Sequence, residues 1–463
     1  MNSEYNAINP DIPSELLNEY GFVFGRKSGR TVAKLEDYNK TEGHILVVGG
    51  VGSGKSSCIA IPTLLKWRER VFAIDIKGEL HKTVLEKRGE TKAQEQIKIF
   101  DPLKENKLEY DPLKEKALGY DPFHLLKKIP QNKAQEAMTI AHTLIPMPHD
   151  VREPFWINNA RNLLTGAILH YSNEKSFVET MIKLVDTPPE ELIDEMSGSQ
   201  IPHVKKFINS FIGMEDKTLV SVYATLHTHI ILYATDEDII RSLSKSEYIT
   251  PEDLERGYDI YIVLPEYLLE QWRNLLTLLT SQFLSHFERR DENKDLTPVL
   301  FLLDEFPRLG KFEKITQALS TLRSKKITIC LILQSLAQLD EIYGKDKRRV
   351  ICDTCAYKAI LSASDPETQK VFSDLVGMYI YKKISVSTPS GMLGKSIFSK
   401  DISEQDEKEL IIRPERFATL QDIILLTPFD FFRVNKQAWY KNPEDEPKPS
   451  FGDKLKEFWG FFS

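Results

Sequence analysis

The chain has 463 residues, 41% hydrophobic and 28% charged, with a formal net charge of −7 at pH 7. That length exceeds one typical core and points to two domains, and the composition is that of an ordinary globular protein. Net acidity excludes a protein that coats duplex DNA over its whole surface, and no apolar run reaches the roughly 18–20 residues that span a bilayer.

Residues 1–40 are turn-rich, with Gly21, Gly25 and Gly29 interrupting any long element. The opening MNSEYNAINPDIPSE is acidic and polar, unlike a secretory signal. Residues 44–48 form a short apolar run and predict a buried strand. A glycine loop follows, then a helix over 55–67 that Pro62 should kink, because it cannot donate to the carbonyl of Cys58. Residues 71–75 and 97–100 predict two more strands, and strand–helix–strand order implies a parallel α/β sheet.

Residues 101–110 read DPLKENKLEY, 111–120 read DPLKEKALGY, and 121–123 begin DPF again. The repeat is too brief for a solenoid and reads as a duplication that lengthens a loop. From about Leu125 to Thr250 strand-like runs stop, and apolar residues recur at helical spacing, as in Ala160, Leu163, Leu164 and Ala167. The α/β texture resumes at 258–264, 299–303, 327–333 and 357–361. Five prolines break the last sixty or so residues, among them Pro443, Pro447 and Pro449, before the aromatic end Phe458-Trp-Gly-Phe-Phe462.

Gly49, Gly50, Val51, Gly52, Ser53, Gly54, Lys55 and Ser56 satisfy G-x-x-x-x-G-K-[ST] in full, and Ser57 extends the set. Glycine is needed because backbone N–H groups must converge on phosphate oxygens with no Cβ in the way. Lys55 is placed to reach the β- and γ-phosphates, and the Ser56 hydroxyl to ligate Mg²⁺. The alternating glycines resemble a dinucleotide loop, but Lys55-Ser56 favours a nucleoside triphosphate, hence ATP. Residues 300–303 run straight into Asp304-Glu305, the arrangement a Mg²⁺-nucleotide site requires at a strand tip. Asp304 is expected to hold the metal and Glu305 to act as general base; the bland alternative is a pair of carboxylates capping a strand. Gln334 ends the next apolar strand and either senses phosphate and water or is an exposed strand end. Arg323 precedes that strand and is either an arginine finger for a neighbouring subunit or a solvated surface arginine.

Cys58, Cys330, Cys352 and Cys355 read as reduced core thiols, since Cys352 and Cys355 have the spacing of half a zinc site but no second Cys/His pair lies nearby in sequence. His227 and His229 lack a thiol or carboxylate at ligand spacing. Lys345, Lys347, Arg348 and Arg349 cluster near Gly344, on what reads as a loop: a DNA contact in a channel, or a solvated charged surface. The terminal aromatics read as a docking tail or as a segment folded back on its own domain.

At this point the chain resembles a family, the type IV coupling proteins of conjugation and type IV secretion. The match rests on 303–310 (LDEFPRLG) followed by Leu333-Gln334-Ser335, on Asp75-Ile-Lys-Gly-Glu79, and on Ile61-Pro-Thr-Leu-Leu65. Phe155-Trp156, Tyr261-Ile-Val-Leu-Pro265 and Arg413-Pro-Glu415 extend it in order over about residues 20–440. The resemblance implies an α/β fold, a RecA-like P-loop NTPase domain with an inserted all-α domain. Its parts would be 1–124 and 256–440 for nucleotide binding, 125–255 for the substrate-recognising insert and 441–463 for a C-terminal tail. It further implies ATP hydrolysis with Mg²⁺, a homo-hexamer, and an arginine finger and glutamine motif at Arg323 and Gln334. The implied partners are a relaxase on single-stranded DNA or effector proteins, together with secretion-channel components. Family members usually begin with transmembrane helices, which this chain lacks, so the expected location is cytoplasmic, with indirect or peripheral contact at the inner face of the membrane. Two other readings stay open: a double-stranded DNA pump of the segregation type, and a nucleotide-gated adaptor with little turnover.

Overall fold

The structure is a computed structural model and describes residues 10–36, 41–88, 96–104, 117–148, 153–292, 294, 296–387 and 401–441. It divides into two units, one spanning residues 1–35, 47–67 and 357–463, the other 36–46 and 68–356.

The second unit is built on parallel strands. Ile327–Leu333, Val299–Leu303, Arg70–Asp75, Asp259–Val263, Ile97–Phe100, Ala117–Tyr120 and Tyr248–Ile249 lie in that order, each neighbouring pair parallel. Val299–Leu303 and Ile327–Leu333 are buried at every position. A parallel sheet covered on both faces needs such unbroken apolar runs, which is why the sequence announced them. Because the strands run the same way, their carboxyl ends share one edge, where Asp75, Asp304 and Gln334 end or follow their strands.

The repeat shows its physical content at that edge. Asp101 Oδ1 accepts the Leu103 N–H at 3.0 Å, and Asp121 Oδ1 accepts the Phe123 N–H at 2.9 Å. The first and third Asp-Pro copies therefore make the same Asx turn after two neighbouring strands. The intervening copy, 105–116, lies outside the described residues.

Between Ala117–Tyr120 and Tyr248–Ile249 the described residues form helices and turns, grouped with the parallel strands. Phe155–Tyr171 buries Ala160, Leu163, Leu164 and Ala167. Gly166 lets Pro202–Ile208 approach, since a Cβ there would stand 2.6 Å from Ile208 Cδ1. Ser176 and Glu179 close a capping box that starts Phe177–Asp186. Among the described residues no helix is long and apolar enough to cross a membrane.

The first unit is antiparallel. Arg30–Lys34, Phe22–Lys27, Phe431–Asn435, Asp422–Leu426 and Tyr357–Ile360 lie side by side, each pair antiparallel. The glycines that seemed to break residues 1–40 instead build a hairpin: Ser28 and Gly29 have φ of 51° and 77°, the pair of positive angles that a tight two-residue turn demands. Pro62 acts where expected, in a different form. Lys55–Ala60 is a π-helix and Ile61–Lys66 an α-helix, so the register changes at the proline.

Three helices of the second unit meet at Glu252. Its carboxylate binds His124 Nε2 at 2.9 Å and Lys128 Nζ, with His286 Nδ1 3.7 Å away. Burial disfavours its charge, but the hydrogen bonds from His124 and Lys128 outweigh it and hold the carboxyl well below its ordinary 4.5. Its stabilisation is therefore present above about pH 4.5 and lost as pH falls toward the depressed folded value. Glu252→Gln should lower stability by roughly 2–3 kcal/mol at neutral pH and flatten the acid limb. Urea unfolding between about pH 3 and 7 checks this; equal acid slopes in both proteins would refute it.

Candidate functional site

In the first unit the loop after Val48 has the shape of a cradle. Gly52 and Gly54 hold φ of 72° and 101°, where side chains are strained. At Gly49 a Cβ would stand 2.4 Å from Ser53 Oγ. Lys55 is buried, its Nζ donating to the carbonyls of Gly49 at 2.7 Å and Gly50 at 3.3 Å. Val51 is fully exposed on the outer curve. The buried Ser53 Oγ has no hydrogen-bond partner among the described residues.

One contributor escaped sequence reasoning. Ser362 Oγ accepts the Gly50 N–H at 3.0 Å, while the Leu361 N–H donates to the Val48 carbonyl at 2.8 Å. The only available signal was a serine just past an apolar strand, the same position that singled out Gln334.

In the second unit Asp304 is buried and its Oδ1 accepts the Glu305 N–H at 3.1 Å. Glu305 takes φ 48°, ψ 44°, a left-handed conformation that costs a branched residue or a carboxylate about 1 kcal/mol or more. That turn is fastened by the Arg308 N–H on the Glu305 carbonyl at 2.8 Å. Strand register pairs Leu331 with Leu303, so Gln334 emerges beside Glu305. Gln334 Nε2 lies 3.3 Å from Glu305 Oε2 and 3.5 Å from Oε1. Gln338, also unforeseen, accepts the Gln334 N–H at 2.9 Å and closes the capping box of Ser335.

Arg323 does not join this group. It opens the short 3-10 helix Arg323–Lys325 at the amino end of Ile327–Leu333, a strand length of about 20 Å from Gln334. Its side chain is 63% exposed and its Nε meets Glu42 Oε2 at 3.2 Å.

The basic cluster near Gly344 is corrected by the structure. It lies within the helix Leu336–Thr354, kinked at Gly344 (φ 76°, ψ 161°), not on a loop. Arg348 turns inward to Asp340 at 3.0 Å and Lys347 pairs with Glu313 at 2.8 Å. Asp346 interrupts the run, and helical phase turns Lys347 away from Lys345, Arg348 and Arg349, so the four cations do not share one face. His229 bonds back to the Thr225 carbonyl of its own helix at 2.9 Å. All four cysteines are buried, and burial pushes the Cys330 thiol up. The aromatic tail beyond 441 lies outside the described residues.

Comparison with known proteins adds the following. A family model described as Type IV secretory system Conjugative DNA transfer matches residues 7–458. Protein VirD4 of Rhizobium radiobacter is 26% identical over 91% of this chain and 60% of its own length. Conjugal transfer protein TraG of Agrobacterium fabrum is 24% identical over 89% and 62% respectively. The chain thus spans less than two thirds of the length of these relatives. Among solved structures, the unbound bacterial conjugative coupling protein TrwBdeltaN70 aligns with a TM-score of 0.66 at 17% identity, over 92% of this chain and 91% of that one. TrwB in complex with a non-hydrolysable ATP analogue aligns with a TM-score of 0.63 at 16% identity, over 95% and 94%. The fold is therefore a RecA-like P-loop NTPase domain with an all-α domain.

The Ser362 contact is testable in isolation. Ser362→Ala removes one acceptor from the loop backbone and should weaken tripolyphosphate binding roughly 2- to 10-fold without altering the thermal midpoint by more than a few degrees. Calorimetric titration against the parent checks it, and unchanged affinity would make the contact incidental.

Proposed function

Because the chain belongs to the type IV secretory system conjugative DNA transfer family, we propose that it is an ATP-hydrolysing coupling protein. It recruits a relaxase–single-stranded DNA complex, or effector proteins, and delivers the cargo to a type IV secretion channel. The observation that carries this reading is a complete phosphate loop in the same chain as a strand-end Asp304-Glu305 pair, with Gln334 on the Glu305 carboxylate. The proteins it resembles include ones named for conjugal transfer and a coupling protein solved with an ATP analogue and with ADP and Mg²⁺.

The residues fit such a ligand. Gly49 lets the loop close on Ser53, whose Oγ a Cβ would strike at 2.4 Å, and the Ser53 hydroxyl is a buried donor with no partner among the described residues. In the proposed mechanism, N–H groups of the Gly49–Ser57 loop other than that of Gly50, which Ser362 holds, bind phosphate oxygens, and Lys55 balances charge on the β- and γ-phosphates. Ser56 and Asp304 would hold Mg²⁺, which when bound offsets charge on those phosphates. Glu305 takes a proton from the attacking water. Gln334 orients that carboxylate while adding no charge of its own.

Arg323 lies a strand length from its own Glu305, so its role is in trans, at the site of a neighbouring protomer in a homo-hexamer. Helices 125–255 serve cargo recognition. With a net charge of −7, nucleic-acid contact is local. The protein works at the inner face of the cell membrane, through partner proteins.

Lys55→Ala should abolish ATP binding or turnover, whereas Glu305→Gln should keep binding and lower turnover by about 10²- to 10⁴-fold. Nucleotide binding and phosphate release check both; parental turnover in Glu305→Gln would remove the base assignment. For the trans role, turnover per protomer should rise steeply with concentration, and mixing Arg323→Ala with Lys55→Ala chains should restore some activity. A flat concentration profile with no rescue would leave Arg323 as a surface arginine paired with Glu42.

A further inference from the structure

The last described residues return to the phosphate loop, and Pro62 is the reason. In the π-helix Lys55–Ala60 the Ile61 N–H donates to the Ser56 carbonyl, five residues back. The next donor in that register would be residue 62, bonding to the carbonyl of Ser57, but proline has no N–H. The Trp439 N–H takes its place, donating to the Ser57 carbonyl at 3.0 Å. Nearby, Lys436 Nζ donates to the carbonyls of Leu361 and Leu420 at 2.9 Å each. The stretch is thus pinned beside Ser57 at one point and beside Ser362 at another, both parts of the cradle's own framework.

This double anchor presents two aromatic rings. Trp439 and Tyr440 stand edge to face, centroids 5.7 Å apart and planes at 85°, and Tyr440 is 64% exposed. A lone exposed tyrosine needs no explanation, but one that directly follows the residue bonded to the Ser57 carbonyl has a defined neighbour. In the proposed nucleotide complex Lys55 takes the β- and γ-phosphates. The nucleoside then leaves the cradle from the α-phosphate end, over the first helical turn, where Trp439 is fastened.

We infer that Trp439 and Tyr440 form the platform on which the base of the bound nucleotide stacks. The inference rests on the nucleotide reading above and adds a base site to it. Aromatic faces accept any base, because every base has a π-face, and two-torsion side chains lose little entropy on ordering. Stacking area then ranks ligands, with adenine and guanine alike and pyrimidines weaker.

The test uses the full chain with Mg²⁺ and two probes, ADP and inorganic tripolyphosphate, titrated calorimetrically. Tyr440→Ala and Trp439→Ala should each weaken ADP roughly 5- to 100-fold and leave tripolyphosphate unchanged, while Trp439→Phe keeps ADP close to parental affinity. Unchanged ADP affinity in both alanine variants overturns the platform. So does an equal loss for tripolyphosphate, which would make the segment a brace for the loop. A parent chain that binds tripolyphosphate but gains nothing from the base also removes the platform, while leaving the phosphate site standing. A parent chain that binds neither probe, as expected of Lys55→Ala, overturns the nucleotide reading and the platform together.

Discussion

The arrangement of the second unit depends on the parallel pairing of Val299–Leu303 with Ile327–Leu333. Ten of their positions pair as five residues opposite five, from Ile327 with Val299 to Leu331 with Leu303. That register delivers Glu305 and Gln334 to one edge together, although 29 residues separate them in sequence. A slip of one residue would turn every side chain to the opposite face and break the amide–carboxylate contact. Complete burial on both faces makes such a slip costly, so the apolar strands specify the geometry of the polar tips. The left-handed Glu305 is tolerable for the same reason: strain persists where packing on either side over-determines it.

In the first unit the phosphate loop is supported by a different device. Its helix lies against antiparallel strands, with the Val23 N–H donating to Thr63 Oγ1 at 3.0 Å and the Gly21 N–H to the Lys66 carbonyl at 3.0 Å. Ser362 and Trp439, from the other end of the chain, hold Gly50 and Ser57. Some three hundred residues lie between the loop and these supports, so the cradle forms only when both ends of the chain have folded. Pro62 belongs to this design. By lacking a donor it leaves a carbonyl that the returning segment satisfies, which turns a helix breaker into a docking point.

The Glu305 carboxylate meets the neutral amide of Gln334 with contacts of 3.3 and 3.5 Å. Arg323 is exposed, and its partner Glu42 is a surface contact of modest strength. The helices Phe155–Tyr171 and Pro202–Ile208, by contrast, are closely packed through Gly166.

Local chemistry was legible in the sequence. Gly49 to Ser56 declared a phosphate loop because glycine spacing encodes backbone shape directly, and 299–303 and 327–333 declared buried strands because double-sided burial demands unbroken apolar runs. Asp304, Glu305 and Gln334 followed as the residues past those runs. The hairpin at Phe22–Lys34 was not legible, because its glycines look the same whether they end an element or turn one. Ser362, Gln338 and Trp439 left no motif, since each acts through hydrogen bonds to partners chosen by folding. The cations at 345–349 misled for a related reason: adjacency in sequence says nothing about a shared surface until helical phase and partners such as Asp340 and Glu313 are known. What the sequence determined by itself was therefore the glycine loop, the buried strands and the polar residues at their tips, through short-range backbone and burial rules. Which groups meet was decided only by the tertiary structure, because strand register and chain return are long-range properties that no local pattern encodes.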